Sequence, residues 1–156
     1  MHQFLGNIEV KVDNKGRLFV PALYRKSLEK WEETASLYME TDAISKCVKL
    51  YPESVWKKLD EELKAKLNLW DKGDSKLYRQ FTSRVELVEL DSSGRVLIQK
   101  KHLEVTGIES DALFVGVGSY FEIWNKDNFE KSLYDEDDFD KAMQEKMGNK
   151  HSTSFN

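Results

Sequence analysis

The sequence predicts a mainly β fold with peripheral helices, an α+β chain of two pseudo-symmetric halves, each a small barrel-like set of strands. Three observations carry this expectation. First, Asp13-Asn14-Lys15-Gly16-Arg17 returns as Asp91-Ser92-Ser93-Gly94-Arg95, 78 residues later, with apolar strand patterns on both sides of each copy. Second, each half holds several short strand patterns and one substantial helical stripe. Third, 156 residues with 40% apolar content can bury one ordinary core, whereas halves of about 75 residues are thin as independent cores. Two such units gain by closing on each other or interleaving, because paired hairpins remove open sheet edges.

The elements follow in order. Ile8, Val10 and Val12 alternate with Glu9 and Lys11, the pattern of a half-buried strand. The turn at 13–17 comes next, and Leu18-Phe19-Val20 is expected to pair back as the second arm of a hairpin. Asp suits the first turn position because its carboxylate accepts nearby backbone N–H bonds, and Gly tolerates positive φ. Pro21 ends pairing and is placed to start a short helix. Ser36–Met39 and Val48–Tyr51 read as two further strands. Pro52 opens the strongest helix, whose apolar stripe runs Val55, Trp56, Leu59, Leu63, Leu67 and Trp70. Asp71-Lys72-Gly73-Asp74-Ser75 is expected to break that helix and to separate the halves.

The second half repeats the order. A strand over 85–90 leads into the turn at 91–95 and a strand over 96–98, and a short helical segment ends near Gly107, a left-handed cap. Leu113–Val117 and Tyr120–Trp124 form a hairpin across Gly118-Ser119, and Asn125 caps a helix beginning at Lys126. The expected division is a first repeat over 1–76, a second over 77–147, and a disordered tail over 148–156.

Composition excludes several functions. No run of about 18 apolar residues is present, so no transmembrane helix is expected, and the N-terminus carries no secretory pattern. Cys47 stands alone, which removes intrachain disulfides and argues against a cysteine-based metal site. His2, His102 and His151 are scattered without metal-ligand spacing, and no glycine-rich phosphate loop follows a strand. The carboxylates over 135–140 read as a solvated run. No enzyme, cofactor, metal, membrane or small-molecule substrate is therefore expected, and the location expected is cytoplasmic. Net charge is −4, which does not advertise nucleic-acid binding. Its distribution is uneven: Lys11, Lys15, Arg17, Arg25 and Lys26 outnumber Glu9 and Asp13 near the first turn, while acid gathers towards the C-terminus.

These motifs together resemble the MraZ family, bacterial regulators of the division and cell wall operon, similar in fold to AbrB-type swapped-hairpin β-barrels. The resemblance covers about residues 1–145. It is carried by Asp13 through Arg25, including Val20-Pro21 and Tyr24-Arg25, by Leu50-Tyr51-Pro52, by Tyr78-Arg79-Gln80-Phe81, and by Asp91 through Ile98. It implies two AbrB-like halves forming a swapped-hairpin, double-psi-type barrel. It also implies a ring-shaped homo-oligomer binding short direct repeats in double-stranded DNA, associated with the nucleoid. Carried over by residue, Lys15 and Arg17 are the leading DNA contacts, Arg95 is their equivalent, and Arg25 is a further candidate. Asp13, Gly16, Asp91 and Gly94 are expected to shape the turns. The second copy departs from the pattern: Gln99-Lys100-Lys101-His102-Leu103 replaces the expected proline and Leu-Arg, and Ser93 stands where the first copy has Lys15. The first turn is therefore favoured.

An arginine at a hairpin tip offers a planar fork that can bind phosphate or a guanine edge. Other readings stay open. Arg17 can pair with Asp13 or Glu9 on the surface, Arg25 can anchor the short helix by a salt bridge, and Arg79 can pair across a subunit boundary. Trp56, Trp70 and Trp124 read as core or interface packing. The rival function is an oligomeric protein-interaction scaffold or an antitoxin-like barrel without operator binding.

Overall fold

The computed structural model of the protein describes residues 3–31 and 36–148. Its elements are β1 (Asn7–Lys11), β2 (Arg17–Phe19), α1 (Ala22–Lys30), β3 (Ser36–Asp42), β4 (Cys47–Pro52), α2 (Glu53–Ala65) and α3 (Lys72–Ser83). They continue as β5 (Val85–Glu89), β6 (Arg95–Leu97), α4 (Lys100–Thr106), β7 (Asp111–Gly116), β8 (Phe121–Trp124), α5 (Lys126–Ser132) and α6 (Glu136–Met147). The class is mixed α+β. The chain forms two compact units, Met1–Lys126 and Asp127–Asn156. In the second, Asp135 caps α6 by accepting the Asp138 N–H at 2.8 Å, and Glu136, Asp137 and Asp138 fill its first turn, where the helix dipole favours negative charge. The expected tail lies outside the described residues from residue 149 on.

In the first unit, six strands form one sheet in the order β1-β7-β8-β4-β3-β5, every neighbouring pair antiparallel. β2 and β6 form a separate two-stranded ribbon. The order is symmetric under exchange of the repeats: β1 and β5 are the edges, β7 and β3 lie inside them, and β8 and β4 meet at the centre. The sheet is thus open. The closed barrel expected from the sequence does not form, since the two edge strands do not pair with each other.

The expected β1–β2 hairpin is corrected too. The 13–17 turn closes on itself, with Gly16 N–H donating to Asp13 C=O and Asp13 N–H to Arg17 C=O, both at 3.0 Å. Beyond Arg17 the strand leaves β1. β1 pairs with β7, with Ile8 opposite Phe114, and β2 pairs with β6, with Leu18 opposite Val96. Val20 N–H to Gly94 C=O at 3.0 Å and Ile98 N–H to Gly16 C=O at 2.9 Å extend the ribbon at both ends. The physical reason is burial. Crossing between repeats puts Leu18, Val20, Val96 and Ile98 in one core with Leu37, Met39, Val48, Leu50, Phe114, Phe121 and Ile123. Each such side chain contributes roughly 1.5–3 kcal/mol when withdrawn from water. Phe4, Tyr24 and Phe121 pack against one another in the same core, their ring centroids 5.0–5.4 Å apart.

The helices depart from the sequence pattern in three places: α2 ends early, α3 starts within the expected break, and α6 forms over the acidic run that reads only as solvated. α2 ends at Ala65 rather than reaching Trp70, which is 97% exposed and so packs into no core among the described residues. The break expected at 71–75 falls earlier, because Asp71 is the N-cap of α3, accepting the Asp74 N–H at 2.9 Å. Trp56 of α2 stacks on Tyr38, 4.6 Å between centroids, and on Phe81 of α3. Gly107 ends α4 in the left-handed region at φ 71°.

Candidate nucleic-acid interface

The ribbon β2–β6 carries both repeated turns. Its register sets Arg17 opposite Leu97, Leu18 opposite Val96 and Phe19 opposite Arg95. Successive strand residues point to opposite faces. Leu18 and Val96 are fully buried, while Phe19 and Leu97 are about half exposed. The outer face is therefore Arg17, Phe19, Arg95 and Leu97, with the arginines at diagonal corners. A strand spacing of about 4.8 Å and a two-residue rise of about 6.8 Å put their Cα atoms about 8 Å apart.

Each turn is held by its aspartate. Asp13 Oδ1 accepts the backbone N–H of Lys15 at 2.9 Å and of Arg17 at 2.8 Å, and its Oδ2 accepts Arg17 Nε at 2.7 Å. Asp91 repeats the set with Ser93, Arg95 and Arg95 Nε at 2.9, 2.8 and 2.8 Å. The Arg17 N–H bond, more than the guanidinium and the Lys15 N–H, holds the Asp13 carboxyl at about 2 against the opposing effect of desolvation. Asp91 is lowered for the same reasons. Gly16 and Gly94 have φ 83° and 85°, and a Cβ on Gly16 would lie 2.5 Å from Ile98 O, so backbone crowding and conformation both require glycine there.

The predicted cations divide in an unforeseen way. Arg17 and Arg95 are tied to carboxylates through Nε, their side chains 32% and 26% exposed, and among the described residues no partner engages their Nη nitrogens. Lys15 is exposed and in no ion pair among the described residues. Arg25 makes no salt bridge among them either. Its Nε donates to Val20 O at 3.0 Å, and its side chain lies over Gly94, where a Cβ would stand 2.8 Å from Cδ and 3.0 Å from Nη1. A first-repeat arginine thus covers the second turn. The symmetric position over Gly16 holds Leu103, whose Cδ1 would lie 3.5 Å from a Cβ there. The signal for this was the Arg25-to-Leu103 departure between the copies.

Sequence reasoning missed Phe19 and Leu97 as surface residues, since an apolar strand triplet reads as core. The Cζ of Arg95 sits 5.6 Å from the Phe19 ring centroid, a cation–π distance; Arg17 faces Leu97 and has no such ring across the ribbon. Arg79 is not brought to the ribbon's strands; it lies exposed on α3, lining a cavity of about 450 Å³ with Trp70, Lys72 and Lys76. Trp124 is buried and donates Nε1–H to Glu122 at 2.9 Å. Cys47 is buried, and desolvation, then the nearby Glu122 charge, pushes its thiol up to about 12, the state of an unreactive side chain. Among the described residues no group of acids, histidines and cysteine could hold a metal ion, and no helix is long and apolar enough to cross a membrane.

Comparison with known proteins agrees with the internal duplication. A family described as "MraZ protein, putative antitoxin-like" matches residues 3–80 and again 81–151. The transcriptional regulator MraZ of Bacteroides fragilis is 42% identical over 156 residues, covering 100% of this chain and 98% of that one. Its namesake in Bacteroides thetaiotaomicron is 42% identical over 151 residues, 97% and 96% of the two chains. That of Flavobacterium psychrophilum is 31% identical over 156 residues, 99% and 98%.

Proposed function

The chain belongs to the MraZ family, and from that premise we propose that it is a sequence-specific DNA-binding transcriptional regulator acting through the β2–β6 ribbon. The relatives are named as transcriptional regulators, and the family is not one of enzymes. The observation that carries the proposal is the ribbon's outer face. Two arginines about 8 Å apart stand on a two-stranded element, and two further cations, Lys15 in the first turn and Arg25 of α1 beside the second, are neutralised by no carboxylate among the described residues. A two-stranded ribbon fits the major groove, where an arginine fork binds guanine O6 and N7, while an ammonium binds phosphate without regard to sequence.

One ribbon of three residues per strand is a small footprint. We infer a homo-oligomer that presents several ribbons to short direct repeats, as in control of a division and cell wall operon that includes its own gene. Repeats about 10 base pairs apart would face one side of the duplex, and the linked contacts would gain affinity by effective concentration. This reading places its work at the nucleoid. The cross-repeat pairing of β2 with β6 also supports two repeats, 1–76 and 77–147, as exchanged AbrB-like hairpins.

The test is binding of the full-length chain to the DNA upstream of its own gene and to a scrambled duplex, at several salt concentrations. Arg17→Ala is expected to weaken binding to both duplexes about tenfold. An Arg17→Ala protein as tight as the parent would refute the assignment.

A further inference from the structure

The two turns carry equal formal charge by different means. Asp13 and Arg17 cancel, as do Asp91 and Arg95, so one net cation remains at each. At the first turn it is Lys15, exposed on a long flexible stem. At the second it is Arg25, lent by the first repeat and pinned between Val20 O and the Gly94 backbone. Arg95 is likewise held on two sides, by Asp91 and the Phe19 ring, whereas Arg17 has Asp13 alone. Ser93, which replaces a lysine in the second turn, and Leu103, which replaces an arginine over the first, are the two sequence changes that make this exchange.

We propose that the turns have separate tasks: the 91–95 turn, with its paired and immobilised guanidiniums Arg95 and Arg25, discriminates bases, and the 13–17 turn supplies sequence-blind affinity through Lys15. This rests on the DNA-binding reading above. The physical ground is preorganisation. A planar fork already fixed in direction loses little freedom on forming two parallel bonds, and it rejects acceptors that do not match its geometry. An ammonium on a mobile stem is a point charge that any phosphate satisfies. Arg25 is then a specificity-determining residue although it belongs to neither repeated motif.

The experiment takes the full-length parent, Lys15→Ala, Arg25→Lys and Leu103→Arg. The parent first selects duplexes from a random-sequence pool of double-stranded DNA. Kd is then measured for every variant on the selected duplex and on a scrambled duplex of the same composition, with thermal unfolding alongside. Lys15→Ala is expected to weaken both duplexes by the same factor and to lower the salt slope by about one. Arg25→Lys keeps the charge and the salt slope, but its ratio of selected to scrambled affinity falls about tenfold. Leu103→Arg, which sets a fork over Gly16, raises that ratio. The inference is overturned if Arg25→Lys keeps the parent's ratio, or if Lys15→Ala lowers the ratio as much as Arg25→Lys does. It is also overturned if Arg25→Lys lowers the unfolding temperature and both affinities together, the mark of a purely structural role. A parent that selects no sequence while still binding DNA refutes discrimination alone; one that binds no duplex removes the DNA-binding reading itself.

Discussion

The Asp13 carboxylate accepts three hydrogen bonds within five residues, and it sits at about 2 because the charged form receives them. A depressed carboxyl stabilises the fold fully above its unfolded value of 3.8, and the contribution is lost as pH falls through about 2. Asp13→Ala is therefore expected to be less stable than the parent in urea unfolding at about pH 5, with the difference shrinking towards about pH 2. A stability gap independent of pH would show that the carboxylate's charge is not what holds the turn. The residue types alone pointed to an aspartate receiving backbone N–H groups and a glycine at positive φ, because both are local effects. That the same aspartate also clamps its own arginine by Nε is one of several surface pairings the residues allow, and the crossing of Arg25 to the other turn shows in the sequence only as its replacement by Leu103 in the second copy. Gly94, which the Arg25 side chain covers, lies 69 positions further along the chain.

At the scale of elements, α2 and α3 show how side chains decide where a helix stops. The apolar stripe continues past Ala65, but Lys66 and Leu67 donate to carbonyls three residues back, and the Asn68 side chain then takes the Trp70 N–H at 3.1 Å. Asn competes with the helical ladder in this way. Asn68 N–H in turn bonds Asp74 Oδ2 at 2.9 Å, tying the loop to α3. Across the two helices, Tyr78 donates to Asp60 at 2.5 Å, and Lys64 bridges the same carboxylate at 2.9 Å. Asp60 is only 9% exposed, so losing a donor leaves a poorly solvated charge. Tyr78→Phe is expected to destabilise by about 1–2 kcal/mol, measured by urea unfolding. No change would mean that Lys64 and water satisfy Asp60 without the hydroxyl. The start of α3 was misread as a break because Asp-x-x-Asp around a glycine serves a turn as well as a cap.

For the whole molecule, interleaving makes the repeats interdependent. β1 finds its partner in β7, β2 in β6, and β5 in β3, each across the repeat boundary. A chain of residues 1–76 would keep only the β3–β4 pair in register, and a lone two-stranded pair is marginal in water. Residues 1–76 and 77–156 expressed separately are each expected to give no folded monomer by amide NMR dispersion, while co-expression restores a 1:1 complex. A folded monomer from either half would contradict the shared core. The same symmetry sets the two turns on one ribbon, so the proposed DNA-binding face is a product of the duplication and not of either copy.

The sequence alone determined what depends on near neighbours: the alternating strands, the Asp-x-x-Gly turns, the left-handed cap at Gly107, the α+β class and the duplication itself. The tertiary structure alone decided which strand pairs with which. Backbone hydrogen bonding is indifferent to partner, so only the joint burial of Leu18, Val20, Val96 and Ile98 selects β2 with β6 over β2 with β1. From that choice follow the open sheet, the outer face that carries Arg17 and Arg95, and the reach of Arg25 to a turn it does not belong to.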